Sequence, residues 1–97
     1  MNVANLQLEG LIMAVAAVNQ ALVRKGLLNV DEVDAALRGV EASLLSDERL
    51  YEDLSPSHRD AVCFPVRLLQ TANAGQSETS LQPFSELARQ VGRTKSS

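Results

Sequence analysis

The chain has no tryptophan, one tyrosine and two phenylalanines among 97 residues. Its core must therefore be assembled from Leu, Val, Ala and Met. A surface that reads nucleobases or sugars by stacking is not expected, because such surfaces depend on exposed rings. There is one cysteine, Cys63, and one histidine, His58. A lone cysteine excludes an intrachain disulfide and a cysteine-rich metal knuckle. His58 lacks the HxxxH or HExxH spacing that sets two ligands on one helix face, and reads as a surface residue at a helix start. The five glycines are scattered, and neither GxxxxGK[ST] nor GxGxxG occurs, so both phosphate-cradling loops are excluded. Neither acidic cluster, Asp31/Glu32/Asp34 or Glu48/Glu52/Asp53, has the alternating ligands and central glycine of a calcium loop. Acids at a helix start are accounted for by the helix dipole. No catalytic residue, metal or cofactor is expected.

Charge of one sign is not concentrated either. The net charge is −3, with nine acids and four bases in residues 1–55 and three acids and five bases in residues 56–97. The C-terminal bases Arg59, Arg67, Arg89, Arg93 and Lys95 are dispersed, whereas nucleic-acid sites need clustered cations. A helix-turn-helix centred on Arg24–Val33 would present Asp31, Glu32 and Asp34 to the phosphates. Nucleic acid is thus not an expected partner, and a nucleic-acid-binding regulator stands as an alternative. No basic n-region precedes the apolar run, so no secretory signal is read. Asn19 and Gln20 interrupt that run before eighteen apolar residues accumulate, the length a membrane span needs. The expectation is a cytoplasmic protein without membrane contact.

What the chain does have is one long apolar stretch, LEGLIMAVAAVNQALV, at residues 8–23. The spacing predicts a first helix from Val3 to Lys25, with Leu8, Leu11, Val15, Val18 and Leu22 recurring every three or four residues on one face. That face is the expected core contact, and Asn19, lying beside it, would need a partner for its amide if buried. Gly10, Ala14, Ala17 and Ala21 form a second line about a third of a turn away. The helix is thus apolar over more of its surface than one neighbour requires. Gly10, Ala14, Ala17, Asn19 and Ala21 are the candidate interface, and a homodimer is the expected assembly.

The remaining elements follow from caps and breakers. Gly26 is a natural left-handed stop, over which Leu27 and Leu28 can fold back, and Asn29 with Glu32 makes a capping box. The segment KGLLNVDEVDAAL follows a widespread helix-stop, cap and helix-start pattern that identifies no family. A second helix, Val30–Leu45, should bury Val30, Val33, Leu37, Val40 and Leu44, with Asp34–Arg38 as an i,i+4 pair. Residues 46–55 read as a short helix or irregular continuation in which Leu50 and Leu54 can pack inward. After a break at Ser55–Ser57, with Ser57 and Asp60 as a second capping box, a third helix is expected from His58 to Asn73. Val62, Val66 and Leu69 form one apolar line of this helix, Phe64 and Leu68 another, and Pro65 should kink it near Ala61–Phe64. Gln76–Ser80 reads as a linker. Pro83 should start a final helix carrying Phe84, Leu87, Ala88 and Val91, with Gly92 as its stop and residues 93–97 as a disordered tail.

The fold class is therefore all-α, a single helical domain over residues 1–92 built on an N-terminal αα-hairpin with the first helix central. The functional expectation is a non-enzymatic protein-interaction or regulatory module that self-associates, through the first helix or the third, or meets an unidentified protein partner. The remaining alternative is a small-ligand carrier or enzyme with a pocket near His58, Cys63 and Phe64. Cys63 and His58 diverge by about 140° around the helix axis at five residues' separation, so they do not form an activated pair. Cys63 among apolar neighbours reads as a buried, unreactive thiol.

Overall fold

Apolar residues at helical spacing, stopped and started by local capping chemistry, set out four helices. They are α1 (Val3–Arg24), α2 (Val30–Leu45), α3 (Pro56–Ala74) and α4 (Phe84–Ser96). The computed structural model describes residues 3–47, 56–75 and 82–96, apart from the side chains at 56–58 and 94–96, and contains no strand among them. The expected short element within residues 48–55 and the linker Gln76–Ser80 lie outside the described residues.

The turn between α1 and α2 is built as its sequence requires. Gly26 takes φ 76°, the one positive φ among the described glycines. Its N–H donates to the Val23 carbonyl at 3.0 Å and that of Leu27 to the Leu22 carbonyl at 3.1 Å. These two bonds make a Schellman motif that satisfies carbonyls the helix end would otherwise leave open. At α2, the Asn29 side chain accepts from the Glu32 N–H at 2.8 Å, and Glu32 accepts from the Asn29 N–H at 2.9 Å. The capping box is complete. Leu28 is half-buried, but Leu27 is exposed and does not fold over the helix end.

Two boundaries differ from expectation by more than one residue. α3 begins at Pro56, so Ser57 lies inside the helix and is not its cap. A proline is well placed in a first turn, where its missing N–H would have no partner. Pro65 removes one backbone donor, and the helix continues beyond it to Ala74. α4 runs through Gly92 to Ser96, so Gly92 does not stop it and residues 93–96 are helical. Glycine weakens a helix interior by about 1 kcal/mol without forbidding it, and Gly92 does not adopt the left-handed conformation that a stop requires. The start of α4 is held by the Pro83 carbonyl, which accepts from the N–H groups of Glu86 and Leu87 at 3.1 Å each.

The helix in the middle is α3, not α1. It packs on α2, α4 and α1, whereas α1 and α2 are joined by a tight turn but associate chiefly through α3. The shared core comprises Ile12 and Ala16 of α1, Leu68 and Ala72 of α3, and Leu87 and Val91 of α4. Phe64 and Phe84 meet edge to face at its margin, with ring centroids 6.2 Å apart. On the other side of α3, α2 buries Val33 while Val30, Leu37 and Leu44 are half-buried. Val40 is exposed, contrary to expectation, and the half-buried residue beside it is Glu41. Asn73, buried near the end of α3, donates from Nδ2 to the Val30 carbonyl at 2.9 Å and ties the start of α2 to the bundle.

Candidate functional site

Because α1 packs chiefly on α3 among the described residues, a narrow strip of its surface suffices for the core. That strip is Ile12, Ala16 and Gln20, with Glu9, Met13, Asn19, Leu22 and Val23 half-buried around it. It holds several of the helix's polar residues. The small side chain of Ala16 permits close approach to α3. The line expected to form the core contact is instead turned outward by about 120° at 100° per residue. Leu8, Leu11, Val15 and Val18 are 44%, 62%, 37% and 58% exposed. With Val3 and Leu6, α1 supplies six of the nine large hydrophobics exposed among the described residues. Isolated exposed apolar side chains are ordinary, but a contiguous apolar face marks a contact surface.

The proposed small-residue line lies on the adjoining exposed arc. Gly10, Ala14, Ala17 and Ala21 are all exposed, and a Cβ placed on Gly10 would meet nothing within 4 Å. Asn19 sits at the margin between the packed strip and the outward face. Its amide has no partner among the described residues, and its half-exposed position leaves it open to water. Gln20, at 9% exposure, also has none. α1 is long and apolar enough to cross a membrane by length and composition. Asn19 and Gln20 therefore do not shorten it below that limit, which corrects the sequence expectation on this point.

A second feature joins α2 to α3. A groove of about 460 Å³ is lined by Arg38, Glu41, Asp60, Arg67, Gln70, Thr71 and Val91. Within it, Arg67 Nε donates to Glu41 Oε2 at 2.7 Å and Arg67 Nη1 to Asp60 Oδ1 at 3.2 Å. Gln70 Nε2 donates to Glu41 Oε1 at 3.1 Å. The hydrogen bond from Arg67, then that from Gln70, holds the Glu41 carboxyl below the ordinary glutamate range. The same bond to Glu41 raises the Arg67 pKa. Arg38 pairs with Asp34 at 2.6 Å, the i,i+4 contact expected from sequence. A carboxylate clamped in its ionised form beside a permanent cation is suited to holding helices together. It is poorly suited to exchanging protons near neutrality, where a general base works best.

Two of the weak pocket candidates, Cys63 and Phe64, are among the described side chains. Cys63 is buried at 1% exposure, and burial pushes its thiol pKa up, against a smaller opposing effect of Arg67. Phe64 packs against Phe84 and lines a shallow cleft with Ala61, Arg67 and Ala88. His58 lies in the first turn of α3, and its side chain lies outside those described. Among the described residues no group of three His, Cys, Asp or Glu is placed to hold a metal ion. The Arg67–Glu41 pair was missed by sequence reasoning, which placed Arg67 with the dispersed surface charge. Its one signal was an acid next to Val40 on the inward side of α2. The chain matches no family model, no curated protein and no solved structure.

Two outcomes follow from these environments. Glu41 contributes stability that is fully present above the ordinary glutamate pKa of about 4.3 and lost as pH falls through its depressed folded value. Glu41→Gln should therefore cost about 1–2 kcal/mol near neutrality and flatten the acid limb of a urea-midpoint-against-pH curve; an unchanged limb would remove the pair from the stability account. Gln20→Met keeps the volume and removes an unpaired buried amide, whose burial costs about 1–3 kcal/mol. It should raise the urea midpoint, and a lowered midpoint would show that the amide is satisfied.

Proposed function

We propose that this chain is a non-enzymatic interaction or regulatory module that self-associates through the outer face of α1. The observation that carries the reading is the exposure of Leu8, Leu11, Val15 and Val18 on a helix docked by its other side. Fully burying a Val or Leu side chain contributes about 1.5–3 kcal/mol. Four such residues, each roughly half exposed, would contribute about 6–12 kcal/mol over two copies. Association costs about 4–15 kcal/mol and a micromolar pair needs a net of about 8 kcal/mol, which these four residues reach only at the favourable end of both ranges, so the pair proposed is one of modest affinity.

A membrane is the competing destination, because α1 meets the length and composition of a span. Crossing a bilayer would take Ile12 and Ala16 out of the core they share with Leu68, Ala72, Leu87 and Val91. Lying on a membrane surface favours many Lys and Arg on the polar face, and α1 has only Arg24. A second copy, which leaves the docked face in place, accords better with the packing. A cytoplasmic location accords with the same reading.

Sedimentation velocity between about 1 and 100 μM, the range implied by modest affinity, should show a monomer–dimer shift. Leu11→Glu should abolish the shift with unchanged helicity, because this side chain is 62% exposed within one copy. A wild-type monomer throughout that range would overturn the proposal, as would partition into lipid vesicles in place of self-association.

A further inference from the structure

The outward face of α1 has a regular seam. Ala4, Leu8, Leu11, Val15 and Val18, with the half-buried Leu22 at the end of the line, follow one another at steps of 4, 3, 4, 3 and 4 residues, the repeat along which two helices pair in a coiled coil. The ordering of sizes is not random about the midpoint. Read from the two ends inward, Ala4 corresponds to Leu22, Leu8 to Val18 and Leu11 to Val15. Each correspondence sets a larger side chain against a smaller one. We infer, resting on the self-association proposed above, that two copies pair antiparallel, with Leu8 against the partner's Val18 and Leu11 against the partner's Val15.

Three observations favour this direction over the parallel one. Antiparallel pairing gives layers of even volume, as close packing favours when large and small residues face each other. Parallel pairing would stack Leu on Leu at positions 8, 11 and 22 and Ala on Ala at position 4, alternately crowding and emptying the seam. The seam's next position is Lys25, which is exposed and still accepts the helical geometry through its N–H bond to the Ala21 carbonyl. A parallel pair would bring Lys25 against the partner's Lys25. An antiparallel pair moves the two to opposite ends of a seam about 27 Å long at 1.5 Å per residue, beyond the roughly 8 Å reach of charge at physiological salt. Finally, the flank left open by α3 carries Gln7, Ala14 and Ala21, all exposed. In an antiparallel pair like flanks meet, so Ala14 lies near the partner's Ala14 and lets the backbones approach.

Disulfide trapping reads the direction. Leu8→Cys and Val18→Cys proteins are prepared separately, each retaining the buried Cys63, and oxidised alone and as an equimolar mixture. A disulfide-linked dimer should form in the mixture and in neither protein alone, with wild type as the blank. Linked dimers from each protein alone would show parallel pairing and overturn the inference while leaving self-association intact. Gln7→Cys mixed with Ala21→Cys, which spares the seam, gives the same readout if Leu8→Cys weakens the pair in sedimentation. No trapping in either mixture, from proteins that sediment as dimers, also overturns the antiparallel seam. Monomeric sedimentation of the wild type is the separate result that removes the proposed function itself.

Discussion

The burial of Leu68 and Ala72 of α3 between α1 and α4 is the interaction on which the rest of this structure depends. α3 packs on each of the other three helices, and Leu68 has no exposed surface. In a chain with so few aromatic residues, this core is made of small and medium aliphatic side chains whose contributions are individually modest. α2 is attached to the opposite side of α3 by different means: Val33, the Arg67–Glu41 pair and the Asn73 bond to the Val30 carbonyl. The two halves of the bundle thus meet at one helix. One half is secured mainly by burial, the other by apolar packing together with hydrogen bonds and charge.

This arrangement leaves α1 with a surplus. A helix clamped between several neighbours uses its whole apolar circumference; α1 leans chiefly on α3 and uses a strip centred on Ile12 and Ala16. The most regular apolar line it possesses is left over, and the half-buried Glu9 and Asn19 with the buried Gln20 lie along the docked side. A sequence selected for a single copy in water has no reason to keep Leu11 and Val18 on the exposed side and an unpaired amide on the buried one. The first choice has a physical account if the exposed line is covered by a second copy; the amide lies on the docked face and is unaffected by it.

Much of the architecture was legible because it is written in local chemistry. Gly26 with its αL turn, Asn29 with Glu32, Asp34 with Arg38, and the Phe84/Leu87/Val91 stripe are each settled within a few residues of chain. The face by which α1 docks was not legible. Periodicity ranks faces by hydrophobicity, and α1 is apolar over so much of its circumference that several faces qualify. The choice is made by α3, which lies more than thirty residues away. The Arg67–Glu41 pair was hidden for the same reason, since nothing local fixes how α2 and α3 align along their lengths. Gly92 shows the converse: glycine permits a helix stop without requiring one, and α4 continues through it.

The account stands or falls on which way α1 faces. Leu11→Cys and Ile12→Cys place a thiol on neighbouring residues that the fold puts on opposite sides of the packing boundary, 62% and 4% exposed. Their rates of reaction with a small alkylating reagent, measured on folded protein at concentrations low enough to be monomeric, compare the two sides directly. The account predicts fast modification at Leu11→Cys and protection at Ile12→Cys, with the Leu11→Cys rate falling as concentration rises and copies pair. Protection of Leu11→Cys in dilute monomer, with Ile12→Cys reactive, would contradict it.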